Sequence, residues 1–119
     1  MLEKEVQMED RIEVGEYVRI IGGEIGRNIK YENSKYYIEV GKNKIWEFSK
    51  KFIVKHSKII SEIVEAGDYV NGKLIHKIDK GSNYCYLYYG KGKTFVDYQI
   101  KTILTKEQYM SNCYKVGEK

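Results

Sequence analysis

With 119 residues, 42% of them hydrophobic and 32% charged, the chain has a globular composition and room for one ordinary domain, or for two very small ones sharing a core. Its net charge of +4 is spread over interspersed acids and bases, which is not a nucleic-acid signature in itself. No apolar run reaches the roughly 20 residues of a membrane helix, and the charged start Met1-Leu2-Glu3-Lys4-Glu5 lacks the apolar stretch of a secretory signal, so a cytoplasmic protein that engages no membrane is expected.

Residue usage is skewed. There are 18 Lys against 3 Arg, 12 Tyr, one Ala (Ala66) and no Pro. Lys, Ile, Tyr and Asn are the residues of AT-rich codons, so an AT-rich genome accounts for the lysines and tyrosines without any appeal to nucleic-acid binding.

Residues 1–11 read as an N-terminal extension. Beyond them the chain repeats itself. Val14-Gly15-Glu16-Tyr17-Val18 recurs as Ala66-Gly67-Asp68-Tyr69-Val70, and Tyr37 to Lys44 recurs as Tyr86 to Lys93. Trp46 matches Phe95, Ile53-Val54-Lys55 matches Ile103-Leu104-Thr105, and Ile59-Ile60-Ser61 matches Tyr109-Met110-Ser111. The offsets run 52, 49 and 50, with order preserved. One β repeat is therefore placed over 12–63 and a second over 64–119.

Each repeat opens on Gly-Glu/Asp-Tyr-Val, which leads into a strand. A second strand carries Ile25 and Ile29, or Leu74, Ile75 and Ile78. The turns Glu32-Asn33-Ser34 and Lys80-Gly81-Ser82-Asn83 lead to third strands, Tyr36 to Val40 and Tyr84 to Tyr89. The segments Gly41-Lys42-Asn43-Lys44 and Gly90-Lys91-Gly92-Lys93 read as hairpin turns, because Gly and Asn tolerate positive φ. Fourth strands carry Trp46 or Phe95, and fifth strands carry Ile53 or Ile103. Each repeat closes on a short helix, with Ser57 as a cap for the first and a capping box over Thr105-Lys106-Glu107-Gln108 for the second. The fold class expected is mainly β with short helices: two tandem, pseudo-symmetric, small SH3-like β-barrel or sheet units packed together, with one sheet shared by both as the alternative.

No residue pattern points to catalysis. Neither His56 nor His76 sits in a nucleophile or acid–base motif; His56-Ser57 reads as a helix start and His76 as a strand residue. Cys85 and Cys113 read as small buried apolar residues, with no metal-ligand spacing to either histidine. Ile21-Gly22-Gly23-Glu24-Ile25-Gly26 lacks the Lys-Ser/Thr of a phosphate loop and reads as a hairpin turn. No enzyme, cofactor or metal site is expected.

Strand alternation places Cys85, Leu87 and Tyr89 on one face and Tyr84, Tyr86 and Tyr88 on the other. With Cys and Leu inward, three tyrosines form an outward row, suited to protein recognition or base stacking. Packing of this face against the other repeat or the helix is the competing reading. Lys42 and Lys44, with Lys91 and Lys93, give two matched basic hairpin tips that either grip phosphates or are simply solvated.

The segments Lys55-His56-Ser57, Ile63 to Gly72 and Ile100 to Tyr109 resemble those of small uncharacterised proteins of phages and prophages of low-GC Gram-positive bacteria, clostridia included. The resemblance is best over residues 52–116. It implies phage origin and carries no catalytic residues. Phage accessory proteins without catalytic motifs act by binding, so the function expected is stoichiometric inhibition of a host anti-phage defence protein, as anti-CRISPR inhibitors do. The alternative is a nucleic-acid-binding or nucleotide-signal-binding accessory protein. Mixed charge, and Lys with little Arg, favour the protein partner. A homodimer stays open.

Overall fold

The structure is a computed structural model that describes residues 11–117, so residues 1–10 of the extension lie outside the described residues. The first half forms strands β1 (Tyr17–Ile20), β2 (Ile25–Glu32), β3 (Lys35–Gly41), β4 (Lys44–Phe48) and β5 (Ile53–Ser57). They make one antiparallel sheet in the order β4-β3-β2-β1-β5. Asn33 and Ser34 both hold positive φ, 55° and 65°, which is the geometry that lets a two-residue hairpin follow the strand twist. Val18, Ile20, Tyr36 and Ile38 face inward and bury with Ile12, flanked by Val40, Phe48 and Ile53.

The second half holds β6 (Tyr69–Val70), β7 (Lys73–Leu74), β8 (Lys77–Lys80), β9 (Cys85–Gly90), β10 (Lys93–Phe95), β11 (Ile103–Leu104) and helix α1 (Lys106–Asn112). These strands form two three-stranded sheets, β10-β9-β8 and β11-β6-β7. A second core gathers Val64, Val70, Ile75 and Leu87, with Ile78, Phe95 and Ile103 packed against it. The molecule is mainly β, each half has its own sheets and core, and among the described residues no sheet is shared.

The halves share a strand order when β7 and β8 are read as one interrupted strand. Matched hydrogen bonds support this reading. Gly15 N donates to Asn28 O and Gly67 N to Ile75 O, both at 2.7 Å. Asn28 N donates to Glu16 O (2.9 Å) and Ile75 N to Asp68 O (2.8 Å). Gly15 and Gly67 hold φ of 97° and 102°, a region open to glycine at no steric cost. Relative to the first strand, Ile75 occupies the place of Asn28. Relative to the third, where Asn28 pairs with Ile38 and Ile78 with Leu87, Ile78 does. Three extra residues therefore interrupt the second unit's second strand and split its sheet in two.

Several expectations are corrected. Among the described residues no sheet closes: β4 and β5, the two ends of the first sheet, are joined by a 3-10 turn at Lys50–Phe52 and do not bond to each other, whereas a barrel needs its end strands paired. The SH3-like barrel is therefore not confirmed. The fifth strands are offset by 47 rather than 50, since His56 pairs with Val18 and Ile103 with Val70. Where a helix capped by Ser57 was expected, the chain makes only a 3-10 turn, Ile60–Ile63, with no side-chain cap. His56 belongs to β5, and His76 lies in the break between β7 and β8. Helix α1 does carry its capping box: Gln108 N donates to Thr105 Oγ1 (3.2 Å), and Thr105 N to Gln108 Oε1 (3.1 Å).

Arg19 joins the halves. It sits on β1 opposite the core face, yet is 1% exposed. Its guanidinium donates to both Asp68 oxygens (2.6 and 2.9 Å), to Ile63 O (3.0 Å) and to Glu107 Oε1 (2.8 Å). Asp68, fully buried, also accepts from the amides of Glu65 (2.8 Å) and Lys106 (2.9 Å). The β1–β2 turn packs beside this cluster: a Cβ on Gly23 would meet Thr105 Oγ1 at 2.5 Å and Glu107 Cβ at 2.6 Å. Burial alone would raise the Asp68 carboxyl, but the hydrogen bonds from Arg19 and the two amides outweigh it and hold the group below its ordinary value.

Asp68→Ala leaves Arg19 buried without its main partner and is expected to cost about 3–5 kcal/mol, read as a lowered urea midpoint at constant slope. A carboxyl with a depressed folded pKa contributes stability above its unfolded pKa, near pH 4, and loses that contribution as pH falls through the folded value. The wild-type chain is expected to lose stability through this acidic window, and Asp68→Ala to flatten that limb.

Candidate functional site

Strand β9 is the middle strand of its sheet, so its two faces have different surroundings. Leu87 points into the core, fully buried. Cys85 and Tyr89 share its face, half-buried, and Tyr89 stacks on Phe95 with ring centroids 4.2 Å apart. On the opposite face Tyr84 and Tyr86 are 47% and 38% exposed and stack at 5.3 Å with 28° between planes. Tyr88 is half-buried, with Lys77 Nζ 5.2 Å from its ring centroid and the His76 ring 6.4 Å away. The row thus divides into an exposed stacked pair and a third ring flanked by neighbours from the β8 side.

Tyr98 joins the pair from elsewhere in the sequence. It lies on a 3-10 turn, Asp97–Gln99, and is 82% exposed. With Ile59 and Val96 it borders an open groove of about 590 Å³ along Tyr84 and Tyr86. Two bonds fix the walls: Ser61 N donates to Asp97 Oδ1 (2.8 Å) and Val96 N to Gln99 Oε1 (2.9 Å). Sequence reasoning missed Tyr98, Ile59 and Val96 because three separate segments contribute them and no periodicity relates those segments.

Lys42 and Lys44 flank the β3–β4 turn, and Lys91 and Lys93 the β9–β10 turn; all four are exposed. Lys91 stands at the far end of β9 from Tyr84, roughly 20 Å away at the usual strand rise. The fold does not bring the basic tips and the tyrosine groove into one site.

A second cleft, of about 680 Å³, opens between the halves. It is bordered by Val54, Lys55 and His56 of β5, Ile78 and Lys80 of β8, residues 61–66 in part, and Cys85. Ser61, Glu62 and Cys85 line both clefts, so the two adjoin. His56 Nδ1 lies 2.6 Å from Glu16 Oε1, which pairs β5 with the turn before β1. Cys85 Sγ donates to Ser61 O (3.7 Å), and burial, the largest influence on it, pushes the thiol above its ordinary pKa. A protonated thiol is a poor nucleophile. Cys85 and Cys113 are free and half-buried rather than fully enclosed. Among the described residues, no three His, Cys, Asp or Glu side chains gather as metal ligands, and no helix is long and apolar enough to cross a membrane.

No family model, curated protein or solved structure matches the chain.

The two faces of β9 differ in a measurable way. Leu87→Ala is expected to cost about 2–5 kcal/mol, as core truncations do. Tyr86→Ala, losing one exposed stacking partner, is expected to cost about 1 kcal/mol or less. Parallel thermal melts compare them, and equal losses would mean that the tyrosine face is core.

Proposed function

We propose that the chain is a non-catalytic binding protein that recognises a partner protein through the Tyr84, Tyr86 and Tyr98 groove, with its first half as scaffold. The carrying observation is the stacked, exposed Tyr84–Tyr86 pair and the 82% exposed Tyr98 bordering one open groove. Clustered tyrosines on a firm backing are the residues that anchor protein interfaces, each supplying a large contact area at low entropic cost. The resemblance to phage-encoded proteins directs this surface at a bacterial host's anti-phage defence protein, bound one-to-one and blocked by occupancy.

Affinity capture with the wild-type chain from a low-GC Gram-positive host, followed by titration of the purified partner, tests this. Tyr86→Ala and Tyr98→Ala are expected to keep the fold and weaken binding by about 2 kcal/mol each, or roughly thirtyfold. Unchanged affinity in both variants would move the interface elsewhere.

The four exposed lysines at the hairpin tips favour a second reading, in which the tips bind a nucleic acid. Phosphate-dependent binding to a duplex weakens by about 0.9 log unit per log unit of salt for each phosphate neutralised. No sub-micromolar affinity for duplex or single-stranded DNA or RNA is expected near 150 mM salt. Such an affinity, abolished by changing Lys91 and Lys93 to Glu, would instead establish the nucleic-acid reading.

A further inference from the structure

The cleft between the halves is bordered by two strands that each end a sheet. β5 bonds only to β1, and β8 only to β9, among the described residues. The direction of their outer backbone groups follows from the pairing. Ile20 N donates to Glu24 O, and Asn28 N to Glu16 O, so alternate residues Glu16, Val18 and Ile20 turn towards β2. Arg19 and Tyr17 then turn towards β5, opposite Lys55 and Ser57. The amide and carbonyl of His56 consequently point away from β1, whereas Val54 is the extra residue of a bulge where the register shifts between Arg19 and Ile20. On the other side Gly81 N donates to Tyr84 O, and the pairs Asp79–Tyr86 and Lys77–Tyr88 continue that phase. The backbone groups of Ile78 and Lys80 therefore point away from β9. Val54, His56, Ile78 and Lys80 all border the same cleft. The extra residues around His76 are what free the β8 edge, since the corresponding β2 of the first half has a partner on both sides.

Unpaired strand backbone is best satisfied by another extended backbone. We infer that the cleft takes an extended segment of the partner protein, which adds as a strand to the free edge of β8, β5 or both and continues past Ser61, Glu62 and Cys85 to set an apolar side chain in the tyrosine groove. This rests on the proposal that the groove binds protein, and it names the form the partner takes there. The backbone edges supply affinity with little side-chain selectivity, and the groove supplies selectivity for a large apolar or aromatic residue. A folded, flat partner surface has no free backbone to offer these edges. The ion pairs Lys80–Glu62 (3.9 Å) and Lys55–Glu65 (3.4 Å) at the cleft leave little net charge there for a polyanion.

The test uses random dodecapeptides displayed on a library and selected on the full chain, followed by hydrogen exchange of the free and peptide-bound protein. The His56, Ile78 and Lys80 amides are expected to exchange fast in the free chain and to be protected at β8, β5 or both when a selected peptide binds. N-methylating alternate peptide amides is expected to weaken binding about tenfold or more, since each lost backbone hydrogen bond removes a share of the affinity. Tyr86→Ala is expected to weaken the same peptide. Protection of all three amides in the free chain would show the edges already occupied and overturn the inference. So would selected peptides that depend on Tyr86 but protect none of the three amides and ignore N-methylation; that result leaves the protein-binding groove standing. Failure to select any peptide, where a folded partner binds with Tyr86 dependence, would likewise overturn the strand and keep the groove.

Discussion

The buried ion pair of Arg19 and Asp68 is the constraint on which the arrangement of the two halves depends. Each half has roughly the size at which a single core is only marginally stable, and their cores are separate. Burying a guanidinium and a carboxylate carries a desolvation cost that only excellent geometry and full hydrogen bonding offset. Both conditions hold here. The pair is bidentate, which uses the planar fork of Arg as Lys could not, and Asp68 accepts two further amides. One carboxylate thereby ties β1, the turn before β6 and the first residue of α1. A sliding or rotation of one half against the other would leave two charges buried and unpaired, so the pair selects one relative placement even where its net contribution to stability is modest.

That placement has consequences for the surface. It sets β5 of the first half beside residues 61–66 and β8 of the second, and so creates the cleft between them. A second tie, Ser61 N to Asp97 Oδ1, carries the same order to the Tyr98 turn. The Ser61 hydroxyl, buried and without a hydrogen-bond partner among the described residues, lies where the two clefts meet. Free strand edges invite unwanted pairing, and charged residues along them are a common safeguard. Lys55, Lys77 and Lys80 stand along β5 and β8 and fit that role in the unbound chain.

The legible and illegible parts of the sequence divide along physical lines. Hairpins were legible because Asn33-Ser34, Asn43 and Gly92 must hold positive φ, and few residue types do so cheaply. The capping box of α1 was legible because it is local. The alternation along β9 correctly separated Leu87 from Tyr86. The interrupted second strand was not legible: Leu74, Ile75 and Ile78 look like one apolar strand, and only pairing on both sides reveals the three inserted residues. The fifth-strand register was misplaced for the same reason, because resemblance aligned Ile53 with Ile103 whereas pairing with Val18 and Val70 aligns His56 with it. Arg19 passed unnoticed among many cations. Its one signal was a lone Arg, in a Lys-rich chain, inside the strand Tyr17-Val18-Arg19-Ile20, facing away from a core that its neighbours define.

Composition cannot rank the twelve tyrosines, but their environments can. Tyr36 is buried and accepts the Ile12 amide at its hydroxyl (3.2 Å). Tyr89 packs on Phe95, Tyr69 stacks on Tyr109 at 5.2 Å, and Tyr31 lies 4.5 Å from Tyr36 with the Arg11 guanidinium over its ring. Tyr114 is highly exposed, but it follows α1 with no strand behind it. Tyr84, Tyr86 and Tyr98 combine exposure with a shared groove and a fixed backing: the first two flank or lie on the central strand of a sheet, and the third rides on a turn bonded to residues 61 and 96. Order in the free state lowers the entropy lost on association. A tyrosine that is both exposed and already held loses less entropy on association than an equally exposed one without such backing, which is the physical ground for proposing the groove, rather than the most exposed ring, as the partner surface.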